Sequence, residues 1–343
     1  MHQHANTLFV TSQGAYLGRD HGTLSVKVDG KIRLTVPLHH LEGVVCFGRV
    51  SVSPAVIAAS GECQLAVSFL TEHGQFLARI EPMLQGNVLL RRQQYRLSEN
   101  PAACLAVAQP IIAAKIQNAR NLLLRAARES ENADSAEPLR AAAQHMAAVL
   151  TALPTVTSLD AARGIEGETA RTYFAAFNHM IRQQADSFCM QGRSRRPPRD
   201  PVNSMLSFVY ALLRHDCTGA LQSVGLDPAV GFLHVDRPGR PSLALDLMEE
   251  FRALVADRLV LSLINRRQVH PKGFHADPGG AVTMDDETRR TVLVAYGQRK
   301  REQVQHPLFQ EPVLVGLLPH LQARLLARTL RGDLSEYPGL VLR

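Results

Sequence analysis

TLSVKVDGKIRLTV (23–36) alternates apolar and polar positions on both sides of Asp29-Gly30. A period of two marks strands with one buried face, and Asp-Gly between two such runs signals a two-residue hairpin. VVCFG and QLAVSFL are further short apolar runs. Pro54 opens a short helix, PAVIAASG, that stops at Gly61. His73-Gly74 reads as the turn of the last strand pair. Residues 1–80 are therefore expected to form a small β-rich domain with one helix.

The period then changes. Residues 81–95, EPMLQGNVLLRRQQY, carry Pro82 and Gly86 and read as a linker. From there the pattern is helical. AVAQPIIAAKIQNARNLLLRAAR is a long amphipathic helix, ESENADSAE a polar loop and LRAAAQHMAAVLTAL a second helix. Pro154 ends that helix, and Ser158 can cap the next. RSRRPPRD is a basic loop before NSMLSFVYALLRH, and HADPGGAVTMDDET (275–288) reads as a loop or insertion. The expected fold class is α+β: the β-rich domain 1–80, the linker 81–95 and a larger all-α domain 96–343.

Helical phase separates two glutamates in RGIEGETARTYFAAF. Advancing about 100° per residue places Glu166 within the apolar sector of Tyr173, Phe177 and Met180, while Glu168 falls among Arg171, His179 and Arg182. Glu166 should point inward, where a carboxylate needs a metal, an arginine or a donor network. On the helix from Ser242, Leu243, Leu247 and Phe251 share one face. Asp246, Glu249 and Glu250 lie opposite, on what reads as a solvated face. Asp246 and Glu249 are one turn apart and can approach one centre. Ala253 and Ala256 on that face leave room for a nucleic-acid strand. His234 precedes this helix across a Pro- and Gly-rich turn. Taken singly, each of these residues also fits a structural role. Together, one inward Glu, one His and an acid pair could supply ligands for a divalent cation such as Mg²⁺ or Mn²⁺.

The bulk numbers add a polyanionic partner. Lys plus Arg number 38 against 31 Asp plus Glu, a formal net charge of +7. Three clusters stand out: Arg193, Arg195, Arg196 and Arg199; Arg266, Arg267 and Lys272; and Arg289, Arg290, Arg299, Lys300 and Arg301. Such clusters grip phosphates without reading bases. The 5 cysteines lie far apart without a CxxC, which reads as a reduced, cytoplasmic protein without a disulfide framework or zinc finger. The N-terminus lacks the features of a signal peptide, and no apolar run is long enough for a membrane helix. No Walker-type phosphate loop occurs, so nucleotide hydrolysis is not implied.

Four segments in order, RGIEGETARTYF, RRPPRDPVNSMLSFVYALL, GLDPAVGFLHVDRPGRPSLALDLMEEFR and DRLVLSLINR, resemble the CRISPR-associated integrases, the catalytic subunits of spacer-acquisition complexes. GNVLLRRQQYR adds a match at the linker. The resemblance implies an N-terminal domain for dimerisation and DNA-end contacts, homodimers and a larger assembly with a smaller adaptation protein. It carries the metal ligands to Glu166, His234 and Glu249, with Asp246 as accessory acid; the later acid is often Asp in the family and is Glu here. Asn203 and Tyr210 match positions taken as structural or DNA-supporting. The implied reaction is metal-dependent transesterification on double-stranded DNA, inserting a spacer precursor into the CRISPR repeat, with DNA endonuclease activity as its water-driven counterpart. The first alternative is a non-catalytic DNA-binding scaffold whose acids form a salt-bridge network. A second is a hydrolase of small phosphate esters, which would need a closed pocket.

Overall fold

The computed structural model describes residues 7–41, 43–63, 65–72, 76–80 and 88–342. The chain divides into two compact units, Met1–Gln85 with Leu293–Glu302, and Gly86–Val292 with Gln303–Arg343.

The first unit holds β1 (Thr7–Val10), β2 (Ala15–Asp20), β3 (Thr23–Val28), β4 (Lys31–Pro37), β5 (Gly43–Phe47), β6 (Val50–Val52), α1 (Pro54–Glu62), β7 (Ala66–Leu70) and β8 (Phe76–Ile80). The hairpin forms where the alternation placed it: β3 and β4 pair antiparallel, and Asp29 and Gly30 both take positive φ, at 51° and 74°. One sheet runs β4-β3-β2-β6 and the other β1-β5-β7-β8. β5 has parallel neighbours on both sides and is buried along its whole length, so its run is continuously apolar instead of alternating. Leu17, Leu24, Val44, Val56, Leu65 and Val67 form the core between these elements. Ser53 caps α1 by accepting from Val56 N, with Pro54 opening the first turn. The His73-Gly74 turn lies outside the described residues.

The second unit is mostly helical: α2 (Val88–Ser98), α3 (Pro101–Glu129), α4 (Ala133–Ala152), α5 (Leu159–Ala176), α6 (Pro201–Ser223), α7 (Ser242–Met248) and α8 (Arg258–Asn265). Then come β9 (Phe274–Ala276), β10 (Val282–Met284), α9 (Asp286–Arg301, which belongs to the first unit from Leu293 on), β11 (Gln303–Gln305), β12 (Pro312–Leu314) and α10 (Leu318–Arg331). Three expectations change here. Residues 88–95 of the expected linker are the first turns of α2, whose Gln94 is buried and donates to the carbonyls of Asp227 and Val230 at 2.8 Å; residues 81–87 lie outside the described set. The polar loop after α3 is only three residues long, because Asn132 caps α4 through Asp134 N. The region is also not all-α: segment 275–288 contains the antiparallel pair β9–β10, and β11–β12 is a second short ribbon.

α3 runs through the helical unit with α4 and α5 against it, burying Ile111, Ile112, Ile116 and Leu123. The rod from Ser242 to Asn265 is continuous but irregular. α7 tightens into a 3-10 turn over Glu249–Phe251, widens into a π-helix over Arg252–Asp257 and resumes as α8. It is enclosed on nearly every side: Asp246, Glu249, Glu250, Ala253, Ala256 and Asp257 are all buried. The expected solvated acidic face, and the groove for a strand beside Ala253 and Ala256, are therefore absent. Both faces of the rod pack against the unit, which amphipathic phase on one helix does not reveal.

Candidate functional site

Glu166 is presented by α5. Ser158 caps that helix through Ala161 N at 3.2 Å, and Ala162, Tyr173 and Ala176 fix its buried side. The two glutamates separate as helical phase expects. Glu168 retains 56% side-chain exposure beside His145, whereas Glu166 retains 27% and turns toward α3. Its ion-pair partner is Lys115, a lysine from α3 that helical phase around the acids does not single out. A signal for it exists: Lys115 is the only charged residue in PAACLAVAQPIIAAKIQNA, and a charge in so apolar a run requires a counter-charge.

Asp246 works as an anchor and does not share the centre with Glu249. Its carboxylate is wholly buried and accepts four hydrogen bonds. They come from the backbone N–H groups of Phe232 (2.7 Å), Leu233 (2.9 Å) and His234 (2.9 Å), and from His234 Nδ1 at 2.6 Å. A carboxylate acceptor at Nδ1 selects the imidazole tautomer with its proton there, leaving the Nε2 lone pair free. Gly231 is required beside this anchor, since a Cβ there would lie 2.9 Å from Asp246 Oδ2 and from the Ser242 Cβ. Arg163 of α5 ties the same loop by donating to Leu233 O at 2.7 Å.

His234 Nε2 faces Glu249 Oε1 at 3.9 Å. Glu249 lies at the end of α7, where Arg252 approaches the same oxygen at 2.9 Å and Lys115 approaches Oε2 at 2.6 Å. Burial alone would raise this carboxyl; the Arg252 and Lys115 cations outweigh it and bring the pKa down to about 2. Glu249 is therefore an anion at neutral pH. Its Oε2 makes no hydrogen bond of normal geometry, so that buried oxygen has only the ammonium for compensation.

A second layer holds this one. Asp257, in the π-helical turn, accepts from Tyr210 at 2.6 Å and Tyr173 at 2.9 Å. Burial lifts its pKa to about 6 against the lowering effect of both hydroxyls. The Arg252 guanidinium stacks 4.7 Å from the Tyr210 ring centroid, and Arg193 lies 5.3 Å from the same centroid. Tyr210 thus has a structural role here, as does Asn203, which accepts from Arg193 at 2.7 Å and from Ser194 N at 3.1 Å. Beside Glu249, the carboxyl of Glu250 accepts from Tyr337, Gln322 and Leu340 N, and burial pushes its pKa up to about 7.

Glu166, His234 and Glu249 thus come from three segments to one locality, with Asp246 behind the histidine. Among the described residues no three His, Cys, Asp or Glu side chains already converge tightly enough to hold a metal ion. Instead the Lys115 ammonium stands between the Glu166 and Glu249 carboxylates. Two carboxylates, one of them with a buried oxygen compensated by a cation alone, and an imidazole nitrogen whose other nitrogen is anchored are the donor types that Mg²⁺ or Mn²⁺ takes.

The basic residues divide. Arg195, Arg196, Arg199, Arg266 and Arg267 are exposed, and Arg267 also donates to Gln183 at 2.7 Å. Arg193 is half-buried and committed to Asn203 and Tyr210. Arg299 and Lys300 are buried as well: Arg299 pairs with Glu302, and Lys300 donates to Thr7 and lies over Tyr296. These three residues were expected to grip DNA. Their positive charges are instead used inside the chain.

The family model for CRISPR associated protein Cas1 matches residues 8–298. The chain is 49% identical to CRISPR-associated endonuclease Cas1 1 of Chlorobaculum tepidum and 46% identical to that of Moorella thermoacetica, covering the full length of both chains in each case. In fold it is similar to the Cas1 protein TM1797 of Thermotoga maritima, with TM-score 0.81 and 22% identity over 95% of this chain and 97% of that one. It is also similar to a casposase bound to integration product, with TM-score 0.82 and 24% identity over 97% and 93%. No helix among the described residues is long and apolar enough to cross a membrane. On the extent of these matches, the chain belongs to the CRISPR-associated Cas1 family, and its curated relatives are named endonucleases.

Proposed function

We propose that the chain is a divalent-metal-dependent DNA integrase and endonuclease of CRISPR adaptation. The observation that carries this reading is the meeting of Glu166, His234 and Glu249 from three segments, with Asp246 fixing the histidine. Glu166, Glu249 and His234 Nε2 would hold Mg²⁺ or Mn²⁺. When bound, the metal would act as a Lewis acid on the scissile phosphate.

The chain's own residues set up the rest. Asp246 orients the imidazole so that Nε2 faces the reacting region, where it can bind metal or accept a proton. Arg252 keeps Glu249 ionised. In the proposed reaction the 3′ hydroxyl of a spacer end attacks a phosphodiester at the repeat boundary. A new P–O bond forms as the existing P–O3′ bond breaks. The attacking hydroxyl loses its proton, and the departing 3′ oxygen gains one. The number of phosphodiesters is unchanged, so no ATP is needed.

Double-stranded DNA would lie along the exposed arginines. The smaller adaptation protein, a homodimer and a higher assembly complete the reading. It is supported by relatives named CRISPR-associated endonucleases and by fold likeness to a chain of a Cas6-RT-Cas1–Cas2 complex, with TM-score 0.82 and 21% identity over 36% of that chain. The test is an integration assay with purified protein, the smaller partner, a short duplex with free 3′ ends and a supercoiled repeat plasmid. Strand transfer should require Mg²⁺ or Mn²⁺, stop with chelator, and be lost in Glu166→Ala, His234→Ala and Glu249→Ala variants that still melt cooperatively. Integration retained in any of the three sinks the assignment of that residue.

The scaffold reading has one observation in its favour: the acids do form an ion-pair network, with Lys115 and Arg252. It predicts salt-sensitive DNA binding with no metal-dependent strand transfer in the same assay.

A further inference from the structure

We propose that Lys115 is an internal competitor for the metal: its ammonium occupies the cation position between Glu166 and Glu249, and a divalent ion binds there by displacing it. This rests on reading Glu166, Glu249 and His234 as metal ligands. The geometry is specific. Nζ contacts Glu166 Oε1 on α5 and lies 2.6 Å from Glu249 Oε2 at the end of α7, joining two elements distant in sequence. The Glu249 oxygen has no other compensation, since Arg252 serves the opposite oxygen.

The two cations are built differently. Arg252 is held on two sides, its guanidinium 4.7 Å from the Tyr210 ring centroid and 2.9 Å from Glu249 Oε1. Lys115 has a compact charge on a flexible four-carbon stem, whose rotation can carry the ammonium off both carboxylates. The choice of lysine is itself informative. The chain has 33 arginines and 5 lysines, so an arginine would be the expected cation at an ordinary ion pair. A planar guanidinium engages two carboxylates through several donors and leaves less readily than a single ammonium. With Nζ displaced, both carboxylates gain a divalent partner, and the lysine becomes a mobile cation beside the site.

The test compares Mn²⁺ binding, read by loss of the free-ion paramagnetic resonance signal, and Tm with Mn²⁺ or chelator, in wild type, Lys115→Met, Lys115→Arg and Glu166→Gln. Removing a positive charge this close should tighten Mn²⁺ binding on the order of tenfold or more in Lys115→Met. That variant should also melt lower than wild type in chelator and gain more Tm from Mn²⁺. Lys115→Arg should bind no more tightly than wild type. If Lys115→Met fails to fold, Lys115→Gln, neutral and similar in length, makes the same comparison. Unchanged or weaker Mn²⁺ binding in the neutral variants, with binding still lost in Glu166→Gln, overturns the competitor role and leaves the metal site standing. Binding that is absent in wild type, or indifferent to Glu166→Gln, overturns the metal-site reading and this inference with it.

Discussion

Asp246 shows what one carboxylate can organise. It gathers three backbone N–H groups and the His234 imidazole, all from a Pro- and Gly-rich turn that is itself neither helix nor strand. Asp246→Asn would turn an amide toward donors that need an acceptor. It should cost about 2–3 kcal/mol of stability, since hydrogen bonds to a charged group are the strong ones. It should also weaken Mn²⁺ binding about 10- to 100-fold, the range for partners that orient a metal-binding histidine; calorimetry and metal titration read the two effects. The importance of Asp246 was legible in the sequence, but its role as anchor was not, because spacing on one helix places it with Glu249 and says nothing of the loop behind it. Glu166 was legible from phase, as the lone carboxylate in an apolar sector. Lys115 carried the same kind of signal, a single charge in an apolar run, and proves to be paired inside the helical unit; Asp257, next to Arg258, carried no such signal.

At the scale of elements, the irregular rod 242–265 is where local pattern falls short. Its tightened and widened turns put Glu249 on Lys115 and Arg252, Glu250 on the C-terminal segment and Asp257 on two tyrosines. A π-helical insertion costs helix regularity and recurs at functional sites. The rod also stores a pH dependence. Glu250 and Asp257 have folded pKa values raised to about 7 and about 6, so both favour the protonated form when folded. Their contribution is complete below the unfolded carboxyl pKa and is lost as pH rises through the folded value. Each is worth on the order of 3 kcal/mol from its shift. Thermal melts between about pH 5 and pH 8 should show this fall, and Glu250→Gln should flatten its part of the slope. Glu249 has the opposite sign: its contribution is present at neutral pH and lost as pH falls below about 4.5 toward 2. The hairpin at Asp29-Gly30 and the caps at Ser53 and Ser158 were readable because each is a local device. The β9–β10 pair was missed because its strands are too short to show a period.

Across the whole molecule, the net charge of +7 describes the chain but does not place the charge on its surface. Burial sorts the basic residues: Arg193, Arg299 and Lys300 are used internally, while Arg195, Arg196 and Arg199 remain exposed. A triple Arg195→Ala, Arg196→Ala, Arg199→Ala variant should weaken binding to duplexes of different sequence about equally. It should also reduce the salt dependence of binding, by about 1 in the log–log slope for each phosphate that an arginine no longer neutralises. Arg299→Ala should lower Tm, because it breaks an ion pair inside the chain. The two-part α+β organisation was visible from the change of hydrophobic period. The return of Leu293–Glu302 to the first unit was not, since one continuous helical pattern spans both units. The central claim is that Glu166, His234 and Glu249 form one metal centre, and crystals soaked in Mn²⁺ test it most directly by anomalous diffraction. The account predicts a peak bonded by both carboxylates and by His234 Nε2, with Lys115 moved aside; a peak elsewhere, or none at these residues, would contradict it.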